Sequence, residues 1–290
     1  MRSEDWSYQR HISYEQESGL PSCYTAPGSI DAWRHQRMHD TLLTLLNAYP
    51  NSTWLTLGDG SYGSDAHYLQ SHGADATASS LTDATLQGAR QRGYITKYLV
   101  QNAEALTAKD DSYEFILCKE SYHHFPRPPI AYYEMWRVAS RAIVLIEPVD
   151  GCPRVLDSFK WLVKKLLRGD STDQFEPSGN FLYRVNPREI EKMATALSGT
   201  YVAVRRYNDF YYAKARHDKY GSATMGNLIT QLGLLVQNVL CRIGLMNFGL
   251  ATVVVFKHEI DDGLKTNLRQ NGFMLFEVPK NPYLLLPASG

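Results

Sequence analysis

The 290-residue chain is predicted to be an α/β protein: a seven-stranded, mostly parallel sheet with helices on both faces, a helical N-terminal cap and helical insertions. Three observations predict this. From Thr53 onward, short apolar runs alternate with helix-length segments, the pattern of βαβ units. The first run leads straight into a glycine-rich turn and then a helix. An apolar content of 44% over this length supplies one sizeable core.

Residues 1–50 read as the cap. They hold scattered aromatics, a turn at Pro27 and Gly28, and then the helical "IDAWRHQRMHDTLLTLLNAY", with Asp31 as candidate N-cap and Pro50 beyond its end. Residues 51–290 read as the main domain. Strands are expected near 53–57, 76–80, 95–100, 113–118, 142–147, 201–212 and 249–257. Helices near 64–72, 82–92 and 128–139 connect the early strands, and Asn186 followed by Pro187 starts a later one.

Two insertions interrupt the alternation, at about 151–180 and 213–247. In the first, "FKWLVKKLLRG" over 159–169 is a basic amphipathic helix candidate, suited to an anionic membrane, a phosphorylated carrier or an ordinary surface. In the second, the apolar stretch Asn227 to Met246 carries Thr230, Gln231, Gln237, Asn238 and Arg242. A spanning helix would bury those groups in hydrocarbon, so the stretch reads as a buried or lid helix. The apolar tail "LRQNGFMLFEVPKNPYLLLP" is expected to fold back onto the domain or a neighbouring subunit.

Charge and cysteine content exclude several function classes. Thirty basic side chains balance thirty acidic ones, which gives no general positive field for neutralising phosphates, so nucleic acid is not an expected partner. Cys23, Cys118, Cys152 and Cys241 lie far apart without CxxC spacing, which argues against zinc and against a disulfide framework. Reduced thiols and the absence of a signal-peptide core in "MRSEDWSYQRH" point to the cytoplasm.

The segment "TWLTLGDGSYGSDAHYL" places Gly58, Gly60 and Gly63 between strand and helix, a literal GxGxxG. Glycine is required where the turn takes positive φ or where a ligand approaches the backbone. Nicotinamide dinucleotides and S-adenosylmethionine (SAM) share that need, and a ligand-free tight turn also satisfies the spacing. An acid at the end of the second strand would hold ribose hydroxyls, but that position falls on Ser79 and Ser80.

The order of later features resembles the class I SAM-dependent methyltransferases. "SSLTDATL" is similar to their second strand and following turn, "YLVQNAEAL" to the turn after strand three, "DDSYEFILCKESYHHFPRP" to strand four and its loop, and "RAIVLIEPVD" to strand five. The resemblance spans about 95 residues and implies a Rossmann-like methyltransferase sheet that binds SAM and releases S-adenosylhomocysteine. It further implies that Gly58, Asp59, Gly60, Ser61 and Gly63 shape the pocket with Asp65 at the next helix start. Ser80 and Leu81 would lie near the ribose, Ala103 and Glu104 near the adenine, and Lys119 with Glu120 at the methionine end. Thr56 and Tyr62 depart from the family pattern, which has an acid and a glycine there.

A hydroxyl acceptor needs a general base. His123 and His124 follow strand four at its carboxyl end and are the leading candidates, with Glu120 and Glu147 behind them; backbone packing of the histidines is the alternative. His67 and His72 lack metal spacing, and the i,i+4 pair His35 and His39 has no evident third ligand, so no metal is assigned. The 19 tyrosines, clustered at Tyr132–Tyr133 and at Tyr207, Tyr211 and Tyr212, suit a sugar or aryl acceptor as well as plain packing. The expected partner is therefore a small-molecule or carbohydrate acceptor, with peripheral membrane contact and a homodimer left open. An NAD(P)-dependent oxidoreductase and a non-catalytic methyltransferase-like scaffold are the competing readings.

Overall fold

A computed structural model describes residues 3–17, 27–150, 154–158, 175 and 181–285. The helix candidate at 159–169 lies outside the described residues.

Helix α1 (Ser3–Glu17) opens the chain, followed by α2 (Ile30–His39), a 3-10 turn and α3 (Leu43–Ala48). Strand β1 (Thr53–Leu57) leads into α4 (Ser64–Ser71), then β2 (Asp75–Ser80), α5 (Leu86–Gln91) and β3 (Tyr98–Val100). Next come β4 (Tyr113–Lys119), α6 (Pro128–Val138) and β5 (Ala139–Pro148). The chain continues through α7 (Pro187–Ala196), β6 (Tyr201–Tyr207), α8 (Met225–Arg242), β7 (Leu250–Phe256), α9 (Asp262–Gln270) and β8 (Met274–Glu277).

The strands form one eight-stranded sheet of order β3-β2-β1-β4-β5-β7-β6-β8. Strands β1 to β5 are parallel neighbours; β7 runs against both β5 and β6, and β8 against β6. The expected sheet class holds, with one strand more than expected. The sequence reading passed over "MLFE", which closes the β6 edge and is how the tail folds back. Dinucleotide-binding sheets have the order 3-2-1-4-5-6, and the antiparallel β7 between β5 and β6 departs from it.

Burial on both faces explains the near-continuous apolar strands. Trp54, Phe115, Leu117, Val144 and Ile146 face one cluster, with Met38, Leu42, Leu69 and Leu264 from α2, the 3-10 turn, α4 and α9. Their chain neighbours Leu55, Ile116, Cys118, Ile143 and Leu145 face the other, with Tyr132 and Met135 of α6 and Ile190 of α7. The alternation is the strand period of two, and it makes the expected cap helices part of the main core.

Three expectations are corrected. Ser29, not Asp31, caps α2: its backbone is extended and its side chain accepts from Ala32 N, while Asp31 sits in the first turn and pairs with Arg34 at 2.8 Å. Strand β6 stops at Tyr207 rather than 212, where the Asn208 side chain turns away to bond Asn238 and Gly249 N. Of the two readings of the stretch 227–246, buried helix or lid helix, the first is excluded, because Leu228, Leu232 and Leu235 on one stripe of α8 are each more than half exposed. As expected, Asn186 caps α7 by accepting from Arg188 N, with Pro187 in its first turn.

Candidate active site

The carboxyl ends of β1 and β4 frame a cavity of about 350 Å³, walled by Gly58, Asp59, Ser61, Ser64, Asp65 and Lys119, and by Glu120, Ser121, His123, His124, Pro148 and His35. That size falls within the range of small-molecule sites.

The turn after β1 is built by its own residues. Gly58 and Gly63 both take φ of +71°, and Tyr62 takes +67° between them. Asp59 is buried and folds back onto α4, accepting the amides of Asp65 (3.1 Å) and Ala66 (2.9 Å) and the Thr56 hydroxyl (2.8 Å). Two of the unpaired N–H groups at the start of α4 are thereby satisfied. Thr56, which stands where the family pattern has an acid, thus acts as a donor to Asp59.

Buried charges form the floor. Lys119 Nζ donates to His35 Nδ1 (3.1 Å) and Glu120 (3.2 Å) and lies 3.4 Å from Asp65, which also holds His39 Nε2 at 2.7 Å. Burial pushes carboxylates up, but the Lys119 charge and the His39 hydrogen bond hold Asp65 below its ordinary range. Burial and then the Asp65 charge push Asp59 well up. Burial and Lys119 together lower His35 to about 4, so the ring is neutral and accepts from the ammonium. Arg34 of α2 grips Asp209 and Arg37 bonds Asn208 O at 3.1 Å, which fixes α2, and with it His35, across this edge of the sheet.

The histidine pair also lines the cavity. His123 Nδ1 lies 2.5 Å from Glu147 Oε2, and Glu147 Oε1 accepts the amides of Ser121 and Tyr122, both at 2.9 Å. Glu147 is 1% exposed and stands behind His123, outside the cavity wall. A carboxylate on Nδ1–H leaves Nε2 as the basic nitrogen of the ring.

Of the residues expected from sequence, Gly58, Asp59, Ser61, Asp65, Lys119, Glu120, His123 and His124 converge on the cavity. Gly60 and Gly63 shape the turn behind it: Gly60 O accepts from Tyr62 N, and a Cβ on Gly63 would meet Ile95 at 2.9 Å. Ser80, Leu81, Ala103 and Glu104 do not line it. Glu104 is instead engaged by Arg127, through the backbone N at 2.6 Å and Nε at 2.7 Å. It also faces Tyr8 of α1, whose phenol is pushed up to about 12 by burial and then by Glu104. His35, Ser64, Ser121 and Pro148 are wall residues that the sequence reading missed; the i,i+4 pairing of His35 with His39 was the available signal for the first.

An open α/β sheet with a glycine turn and a charged cavity at its carboxyl edge is the arrangement in which nucleotide-type cofactors bind. Residues 55–145 match the sequence model of the family described as "Methyltransferase domain". No curated protein matches the chain. Among solved structures, the chain is similar to 1,6-didemethyltoxoflavin-N1-methyltransferase of Burkholderia thailandensis, at 10% identity over 89% of this chain and 92% of that one, TM-score 0.53. It is also similar to the YcgJ protein of Bacillus subtilis, at 19% identity over 77% and 100%, TM-score 0.51. Magnesium protoporphyrin IX methyltransferase of Synechocystis, with bound S-adenosylhomocysteine, is 14% identical over 88% and 97%, TM-score 0.50. These likenesses establish the Rossmann-like fold, and the family match covers its first five strands.

The residues present fit the methionine half of SAM. That half carries a carboxylate, an ammonium and a sulfonium, and the wall offers Lys119 for the first and the carboxylates of Asp65 and Glu120 for the cations.

Proposed function

We propose that the protein methylates a hydroxyl oxygen of a small molecule or sugar in the cytoplasm, with His123 as general base and Glu147 as its positioning residue. The observation that carries this is the 2.5 Å contact between His123 Nδ1 and Glu147 Oε2, on a ring that lines the cavity. When bound, SAM supplies an electrophilic methyl already activated by its sulfonium. The chain's task is then to align the acceptor oxygen and remove one proton. Glu147 fixes the ring plane and tautomer, so Nε2 receives the proton and the buried carboxylate stabilises the imidazolium that forms. His124 also lines the cavity and orients the acceptor.

Parallel calorimetric titration with SAM, S-adenosylhomocysteine and NAD(P)H tests the cofactor, with binding of the first two expected. A screen of hydroxyl acceptors with methyl-labelled SAM then tests the chemistry. His123→Gln should lower transfer by roughly 10²–10⁴-fold while SAM affinity stays within a few-fold. Full transfer by His123→Gln would remove the base from this reading, and tight SAM binding without transfer to any acceptor would favour the scaffold.

A further inference from the structure

Helix α8 is built inside out. Apart from Gln231, which is exposed, and the terminal Arg242, its polar side chains face the protein: Asn227 bonds Ser222 O at 2.7 Å, Asn238 accepts from Asn208 at 2.9 Å, Thr230 is fully buried, and the Cys241 thiol bonds Asn247 O. Its apolar side chains face outward. Leu228, Leu232, Leu235, Val236, Val239 and Ile243 are each between 47% and 62% exposed and form one continuous stripe at helical spacing. Helices of water-soluble surfaces show the reverse arrangement, and contiguous exposed apolar patches mark interaction sites.

Charge identifies the occupant. The sequence from Lys219 to His258 contains no Asp or Glu, while Lys214, Arg216 and Lys219 lie exposed just before the helix and Arg242 lies exposed at its end. Asp218 is the one acid between Tyr211 and Gly249, and it is occupied by Thr224 at 2.8 Å. In a chain whose total charge is balanced, three exposed cations thus precede the apolar stripe and Arg242 ends it, beside the oppositely charged Arg154 and Asp157 that bond Gly244 O and Asn247. A second copy of the chain fits poorly. Any two-fold pairing along the stripe sets cations against cations, either Arg242 beside Lys219 in an antiparallel pair or Lys219 beside its equivalent in a parallel one.

We propose that the outward face of α8 docks on an anionic lipid bilayer, lying in the interface with its apolar stripe among the acyl chains and its terminal cations among the headgroups. No helix among the described residues is long and apolar enough to cross a membrane, so the contact is peripheral. The carboxyl end of β6, from which the chain runs on to α8, lies on the edge of the sheet that holds the cavity. Arg34 and Arg37 pin that same segment to the helix carrying His35. A docked protein therefore presents its catalytic edge to the lipid side.

Sedimentation of the full chain with vesicles of phosphatidylcholine alone, or mixed with phosphatidylglycerol, tests this without SAM and so independently of the methyl-transfer reading. Association is expected with the anionic vesicles and should fall as salt rises. Replacing Leu232, Leu235 and Val239 together by Ser should weaken it by about tenfold or more, since each side chain withdraws from the acyl boundary. Lys214→Gln with Arg216→Gln and Lys219→Gln should abolish the preference for anionic lipid. All six positions are exposed, so both variants should keep the parent's unfolding midpoint. Two results would overturn the proposal: no association of the parent chain with either vesicle, or a dimer in sedimentation velocity that the serine variant converts to monomer.

Discussion

A Cβ on Gly58 would stand 2.4 Å from the Cβ of Ser121 and 2.5 Å from its Oγ. The two residues join the carboxyl ends of neighbouring strands, and the Ser121 hydroxyl donates to Gly58 O at 3.0 Å. Gly58 therefore serves two needs, a φ of +71° and room for Ser121 in the loop after β4. Gly58→Ala should destabilise the fold by about 2–4 kcal/mol, combining left-handed backbone cost with overpacking. Adding Ser121→Gly should restore only the packing part. Urea unfolding of the single and double variants measures both, and an unchanged midpoint for Gly58→Ala would refute the steric argument.

Lys119 is 5% exposed among Asp65, Glu120 and His35. Lys119→Met leaves the buried Asp65 carboxylate without that counter-charge, and breaking a buried pair costs about 3–5 kcal/mol. Combining it with Asp65→Asn should recover part of the loss. Additive effects in that double-mutant cycle would mean the pair is not coupled.

Stability should fall in mild acid through His35. Its folded pKa, lowered to about 4 by burial and then by Lys119, lies below the ordinary 6.5. Between these values the unfolded chain takes up a proton that the folded chain refuses. The contribution is therefore complete above pH 6.5 and is lost as pH falls toward 4. His39, lowered by burial, acts in the same direction. Thermal melts at stepped pH should show a shallower decline for His35→Gln than for the parent; equal slopes would exclude His35 as a source.

Tyr62 holds a left-handed conformation, φ +67°, where the family pattern has glycine. It is nonetheless buried, with its hydroxyl 3.3 Å from Gly88 O and its ring 5.4 Å from that of Tyr94. Tyr62→Gly relieves backbone strain but empties a packed site, for a net loss of about 2–3 kcal/mol. A rise in the denaturation midpoint would show that strain outweighs packing here.

What was legible in the sequence is local. Gly58, Asp59 and Ser61 belong to one turn, and His123 follows its strand within a few residues, so alternation and spacing reveal them together. Glu147 was found as a strand-end acid, but its role was not, because the backbone amides it accepts and the ring it orients lie 24–26 residues away in the chain. Asn186 with Pro187 marked its helix because capping is decided by adjacent residues. The strand "MLFE" escaped because four residues carry little period, and its pairing partner β6 lies far upstream.

The sequence by itself determined the sheet class, the glycine turn and the side of the sheet on which the site forms, since backbone conformation and two-residue burial periods are properties of neighbouring residues. Tertiary structure alone decided that His35 meets Lys119 across 84 residues, that Glu104 is taken by Arg127, and that α8 turns its leucines outward. Each of these depends on which groups meet after strands from distant parts of the chain pair, and burial strengthens or penalises a charge only once those partners are in place.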